Sequence, residues 1–182
     1  MKMYTWAIVA LLLTTLAHAD GDVRKTGTMK IDSGAERPTT LHVGCSSDPD
    51  GGALVIELTV ADAYTKKDFG YDDFEGPDAH AGALSRLDWI TAARTTSITT
   101  TASGSYIPEP PDAFQFGIDA RSRQPSKGAT LLAAFGDQPG KLVWTQSSDD
   151  KSRRTLIATF DFDASETKRV HDVTSACQPK TK

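Results

Sequence analysis

Apolar and polar residues alternate along several short stretches of the chain, and this period of two predicts β-strands. In the clearest stretch, ALVIELTV, every second residue is apolar: Leu54, Ile56, Leu58 and Val60. The other stretches with strand-like composition are residues 39–45, 87–93, 95–101, 114–120, 130–135, 141–146 and 155–162. Short strands separated by turn-forming residues predict a mainly β domain, built as an antiparallel β-sandwich or a barrel-like sheet.

The hydrophobic period changes near the C-terminus, where apolar residues recur at helical spacing: Val170, Val173 and Cys177. Asp163 precedes this stretch, and Glu166 follows Asp163 by three residues. This spacing is the pattern of a capping box at a helix N-terminus. We therefore expect one C-terminal α-helix, over about residues 165–177, lying on the sheet.

The N-terminus has the layout of a secretory signal peptide. Lys2 is followed by an apolar run over residues 4–16, and Ala17-His18-Ala19 forms a small-x-small cleavage pattern. The run is shorter than the ~20 residues that a permanent membrane helix requires. We expect residues 1–19 to be removed after Ala19, which predicts a periplasmic or secreted protein with no membrane span in its mature form.

The segment after the signal peptide is polar and is interrupted by Gly27, Gly34 and Pro38. This composition predicts a flexible leader over residues 20–38, with a short edge strand around Gly27–Ile31. Residues 39–182 are then expected to form a single β-rich domain, since their number suits one domain.

The chain has two cysteines, Cys45 and Cys177. In an exported protein an even number of cysteines is most simply explained by disulfides, so we expect one bridge between them. That bridge would link the C-terminal helix to the strand that ends at Cys45.

The net charge and the absence of three known motifs make some classes of function less favourable for this protein. Twenty basic and 24 acidic residues give a formal net charge of −4, which argues against nucleic acid as a partner, because such a partner requires a basic surface. The sequence also lacks the HExxH, Gly-x-Ser-x-Gly and phosphate-loop motifs. These observations favour a binding protein, and we expect it to have neither a cofactor nor a bound metal.

Residues 68–80, DFGYDDFEGPDAH, combine acids and aromatic rings without a base. At an interface, rings anchor a partner and charges steer it, so the predicted contact residues are Tyr71, Asp72, Asp73, Phe74, Glu75 and Asp78. Three alternatives stay open. The stretch could fold over its own side chains, supply paired carboxylates to a glycan-active enzyme, or bind calcium, although its acids do not follow a known calcium spacing.

The segment ASGSY, residues 102–106, resembles the Ser-Gly-x-Tyr loop of periplasmic inhibitors of invertebrate-type lysozyme. In that family a loop of a β-sandwich enters the substrate cleft of the enzyme, which implies that Ser103 and Tyr106 contact a partner here. The match covers five residues, and IPEPP follows it where the family continues into a strand. The order of signal peptide, β domain and terminal helix also resembles exported accessory and immunity proteins of Gram-negative bacteria, which bind and neutralise toxins.

These patterns together predict an exported, non-catalytic binding protein. We expect an inhibitor or immunity protein that neutralises an envelope-targeting hydrolase or toxin with a basic cleft, through the acidic-aromatic stretch. The alternatives are a small envelope enzyme that acts on glycans through paired carboxylates, and a calcium-stabilised structural module.

Overall fold

The computed structural model describes residues 22–46, 53–75, 84–120, 138–148 and 153–176. Its strands are β1 (Asp22–Ile31), β2 (Arg37–Ser46), β3 (Ala53–Val60), β4 (Leu84–Ile90), β5 (Thr95–Thr101), β6 (Ser103–Ile107), β7 (Ala113–Ala120), β8 (Gly140–Ser147) and β9 (Thr155–Phe162). Its helices are α1 (Ala63–Lys66), the C-terminal α2 (Ala164–Ala176) and one 3₁₀ turn (Tyr71–Phe74). The predicted signal peptide, the predicted strand at 130–135, Asp78 and Cys177 lie outside the described residues.

The nine strands form one antiparallel sheet in the order β5-β4-β8-β9-β1-β2-β3-β7-β6. The two edge strands, β5 and β6, are consecutive in the chain and are separated by Ala102 alone. One continuous segment therefore supplies both edges of the sheet, and this is possible only because the sheet curls until its edges approach each other. The predicted mainly β, barrel-like antiparallel fold with a C-terminal helix is confirmed.

The core fills the inner face of the curled sheet. Alternate residues of each central strand are buried there, as in β9, where Leu156, Ala158 and Phe160 are fully buried. Helix α2 packs against β1, β2 and β9 and adds Val170, which is also fully buried. In consequence a single hydrophobic cluster runs from the sheet to the helix.

The predicted capping box of α2 is confirmed. The backbone N–H of Glu166 donates to Oδ1 of Asp163 at 2.8 Å, and the backbone N–H of Asp163 donates to Oε2 of Glu166 at 3.0 Å. Lys25 of β1 also donates to Oε1 of Glu166 at 2.6 Å, so the helix start is tied to the sheet. Val173 lies partly buried against the core, as the helical spacing indicates.

The prediction of a flexible leader is wrong for the residues from Asp22 onward, because β1 lies in the middle of the sheet, between β9 and β2. Every second residue of β1 faces inward: Val23, Lys25, Gly27, Met29 and Ile31. A lysine and a glycine therefore interrupt the apolar pattern of this face. The lysine is paired with α2. The glycine is required by packing, since a Cβ there would lie 2.4 Å from Cδ1 of a phenylalanine of β9.

Edge strand β6 extends through Ile107, the first residue of the IPEPP segment. Tyr106 pairs with Phe114 and Ile107 with Ala113, so the connection to β7 contains only the proline-rich residues 108–112.

None of the helices in the part of the chain described by the structure is long and apolar enough to cross a membrane.

Candidate recognition surface

The acidic stretch lies against the open edge of β6. Its 3₁₀ turn, Tyr71–Phe74, is followed by Glu75, which forms an isolated parallel bridge with Gly104. Gly104 also lets the ring of Phe114 of β7 pack closely, since a Cβ at position 104 would lie 2.2 Å from that ring. The fold thus brings together the two segments that the sequence indicated separately, the acidic stretch and ASGSY.

The aromatic rings of the acidic stretch belong to the core of the protein. Tyr71 is 2% exposed and Phe74 is fully buried. Phe74 packs edge-on against Phe116 with a centroid distance of 5.0 Å, and Tyr71 lies 5.2 Å from Phe114. The prediction that Tyr71 and Phe74 fill pockets of a partner is wrong, because both rings fill space beneath their own turn, as in the self-packed loop that was the alternative.

Two acids of this stretch lie on the protein surface, whereas a third has a buried carboxylate oxygen. Asp72 and Glu75 are exposed, and Asp73 is half-buried. Oδ1 of Asp72 accepts a hydrogen bond from the hydroxyl of Tyr106 at 3.0 Å. Burial and then this hydrogen bond raise the pKa of Tyr106 to about 12, so its hydroxyl remains a donor and keeps the carboxylate of Asp72 in place.

Tyr64 of α1 is a further aromatic residue at this site, and the sequence analysis missed it. Its side chain is 62% exposed, and its ring lies 5.8 Å from that of Tyr106 at an interplanar angle of 85°. The sequence does contain a signal for it, because Tyr64 is followed by the polar residues Thr65, Lys66 and Lys67. A tyrosine outside an apolar run is expected to be exposed.

Helix α1 is held in place by the connection that precedes β7. The backbone N–H of Ala63 donates to the carbonyl oxygen of Asp112 at 2.8 Å. The backbone N–H of Thr65 donates to the carboxylate of Asp112 at 2.9 Å, and the Thr65 hydroxyl donates to the same carboxylate. These bonds set the position of Tyr64 on a helix that is only four residues long.

We call the group formed by Tyr64, Asp72, Glu75 and Tyr106 the tyrosine–acid surface. Ser103 does not join it in the way that the resemblance implied. The segment ASGSY is an edge strand and not a loop, and residues three apart in a strand point to opposite faces of the sheet. Ser103 is exposed on the face opposite that of Tyr106.

A small cavity of about 150 Å³ opens within the tyrosine–acid surface. Its lining combines rings, one acid and one base: Tyr64, Lys67, Phe69, Gly70, Tyr71, Asp72 and Tyr106. The ammonium group of Lys67 lies 5.5 Å from the centroid of the Tyr64 ring. The walls of the cavity are therefore aromatic, with charged groups of both signs.

A larger cavity of about 500 Å³ lies beside the turn between β1 and β2. Two of its basic side chains contact Asp68, since Arg37 forms an ion pair with the Asp68 carboxylate at 3.0 Å and Arg154 donates to the Asp68 carbonyl oxygen at 2.6 Å. The hydroxyl of Tyr71 also donates to Asp68 at 3.1 Å. Burial, followed by the charge of Asp68, raises the pKa of Tyr71. These contacts hold the start of the acidic stretch on the body of the protein.

His42 of β2 has two acidic neighbours. Its Nδ1 lies 2.7 Å from Oε2 of Glu57, and its Nε2 lies 3.1 Å from Oδ2 of Asp22. Both ring nitrogens are engaged by carboxylates on neighbouring strands, so the group links β1, β2 and β3.

The described residues contain no set of three or more His, Cys, Asp and Glu side chains arranged to hold a metal ion.

The predicted disulfide is not decided by the described residues, because Cys177 follows the last of them. Cys45 lies partly buried against the core, as does Val173 of α2, and α2 packs on the strand that carries Cys45. The bridge stays a prediction, and this packing is compatible with it.

Comparison of the chain with protein families, with curated proteins and with solved structures gives no match. The functional argument therefore depends on the chemistry and geometry of the tyrosine–acid surface.

Proposed function

We propose that the protein is an exported, non-catalytic binding protein of the inhibitor or immunity type. It neutralises an envelope-targeting hydrolase or toxin by placing the tyrosine–acid surface in a basic cleft of that partner. The observation that carries the proposal is the pairing of a 62% exposed tyrosine, Tyr64, with exposed acids on a turn whose own rings are buried. Exposed aromatic rings are enriched at the centres of interfaces, and charged residues lie in the polar rim around them.

The surface has a rigid base, which favours recognition. Beneath the acids, Phe69 and Phe74 stack at 5.9 Å, and Phe74 packs on Phe116 at 5.0 Å. Tyr106 in turn packs edge-on against Phe114 at 5.0 Å. Side chains that are already ordered lose less conformational entropy when a partner binds, so a preformed surface of this kind strengthens binding.

The charges of the surface fit a basic partner. Asp72 and Glu75 are exposed, and both raise the pKa of Tyr106, after the larger effects of burial and the hydrogen bond from its hydroxyl to Asp72. The two carboxylates are thus available to pair with cationic groups of a partner's cleft. Exposed acids mainly accelerate association and select the partner, whereas an exposed tyrosine that becomes buried slows dissociation.

The proposal is tested by capture and inhibition. The purified protein is used to capture proteins of its own cell envelope, beside the variants Tyr64→Ala and Glu75→Ala. The matched control is Asp161→Ala, which removes an acid that is 79% exposed on β9.

The proposal predicts a hydrolase or toxin that the wild type and Asp161→Ala both capture and inhibit, with both effects weakened in the other two variants. Equal inhibition by all four proteins would place the contact elsewhere on the molecule. A wild type that inhibits none of its captured proteins would contradict the proposed function.

A further inference from the structure

We propose that the cavity of about 150 Å³ in the tyrosine–acid surface binds the charged head of a lysine or arginine side chain of the partner. This inference rests on the proposed function and names the chemistry that the surface recognises. It assigns a specific contact to Tyr64, Asp72 and Tyr106.

The arrangement of the rings is the first argument. Tyr64 and Tyr106 stand at 85° to each other with centroids 5.8 Å apart, and both line the cavity together with Phe69 and Tyr71. The face of an aromatic ring carries negative electrostatic potential and attracts a cation within about 6 Å of its centroid. Rings that meet at a right angle can offer a cation contacts from two sides.

The second argument is the carboxylate in the wall of the cavity. Asp72 lines it, and the hydroxyl of Tyr106 holds the Asp72 side chain through a 3.0 Å hydrogen bond. Asp72 is exposed, so it keeps acceptor positions for an incoming N–H group. A carboxylate beside aromatic faces supplies both of the interactions that stabilise an ammonium or a guanidinium group.

The third argument is that the chain's own lysine shows the preference of the site. The ammonium group of Lys67 lies 5.5 Å from the centroid of Tyr64, and Lys67 lines the same cavity. An internal cation at this ring demonstrates that the ring face accepts one. A partner's cation would take this place, and Lys67 would turn into solvent, since its side chain is exposed.

The size of the cavity fits the head of a basic side chain. A volume of about 150 Å³ is below the roughly 300–1,000 Å³ of pockets that bind drug-sized ligands. That space accommodates an ammonium or a guanidinium group with its last methylene groups, so a single side chain is a ligand that suits the cavity.

The experiment uses the purified protein and small probes, without the partner. N-acetyl-arginine amide and N-acetyl-lysine amide are titrated while the ring resonances of Tyr64 and Tyr106 are followed by NMR. N-acetyl-glutamine amide is the uncharged control. The inference predicts saturable shifts of both rings with the two cationic probes, and none with the glutamine probe.

Variants make the test specific. Tyr64→Ala should weaken binding of the cationic probes by roughly 3- to 30-fold, the range expected for a lost cation–π contact. Tyr64→Phe should retain most of the binding, because the ring face remains. Lys67→Ala should tighten probe binding, because it removes the internal competitor, and a merely structural lysine would not have this effect.

Equal shifts with the glutamine probe, or weaker probe binding by Lys67→Ala, would overturn the inference. Melting curves of each variant show that the fold is kept, which is expected because Tyr64 and Lys67 are exposed. If the probes fail to bind while the partner is still inhibited through the surface, only this inference fails. If the probes bind and no envelope enzyme or toxin is inhibited, the proposed function fails and the cation site remains.

Discussion

The replacement Phe74→Ala tests whether the acidic stretch is anchored by its own rings. Phe74 is fully buried and contacts Phe69 and Phe116 at centroid distances of 5.9 and 5.0 Å. Full burial of a phenylalanine contributes roughly 1.5–3 kcal/mol by transfer alone. The cavity left by the missing ring adds to this, so the free energy of unfolding should fall by about 3–5 kcal/mol.

Urea unfolding followed by circular dichroism measures this change. With a denaturant dependence of about 2 kcal/mol per molar, the unfolding midpoint should fall by roughly 2 M. Two controls lie close by: Glu75→Ala and Tyr64→Ala remove exposed side chains and should change the free energy by about 0.5 kcal/mol or less. An unchanged midpoint for Phe74→Ala would show that this ring is not in the core, and the assignment of partner contact to Tyr64 instead of Phe74 would fail with it.

Three further predictions concern the helix and its links to the sheet. Val173→Asp should lower the free energy of unfolding by roughly 1–3 kcal/mol, because it places a charge against the core, and a thermal melt that does not move would show that this side of α2 faces water. The hydrogen bond from Lys25, followed by the hydrogen bond from the backbone N–H of Asp163, lowers the pKa of Glu166. Ionised Glu166 therefore stabilises the folded state fully above its unfolded pKa of about 4.3. This stabilisation is lost as the pH falls through the lower pKa of the folded state. Glu166→Gln should flatten this acid-side loss in a series of unfolding curves between pH 6 and 2, and identical pH profiles for the two proteins would contradict the assignment. If the protein is exported as proposed, it should contain a Cys45–Cys177 disulfide. A thiol-reactive label should then add no mass to the denatured protein before reduction and two labels after it; labelling of both thiols without reduction would exclude the bridge.

Strands whose inward-facing positions are all apolar could be predicted from the alternating hydrophobic pattern alone. β3 has the predicted bounds, and β7 and β9 differ from their predictions by at most one residue, because their inward positions are continuously apolar. β1 could not be found in this way, since its inward face contains Lys25 and Gly27. Both of these residues are explained by tertiary contacts, with α2 and with Phe160, and a local pattern carries no information on such contacts.

The sequence indicated several residues that the fold brings together. The exposed acids Asp72 and Glu75 and the half-buried Tyr106 lie together, although the sequence separates the turn from β6 by about 30 residues. The assignment of the rings failed because composition does not show which side of a 3₁₀ turn faces the sheet. Tyr64 was overlooked because it precedes the acidic stretch and becomes its neighbour only through the bonds between α1 and Asp112.

The central claim is that the tyrosine–acid surface is where the partner binds, and binding kinetics with the captured partner test it most directly. Tyr64→Ala should raise the dissociation rate at least about tenfold, as the loss of a buried aromatic anchor does. The combined replacement of Asp72, Asp73 and Glu75 by alanine should mainly slow association, and the difference from wild type should shrink as salt is added. If both variants bind the partner with the rates of the wild type at low salt, the surface is not the binding site and the account is wrong.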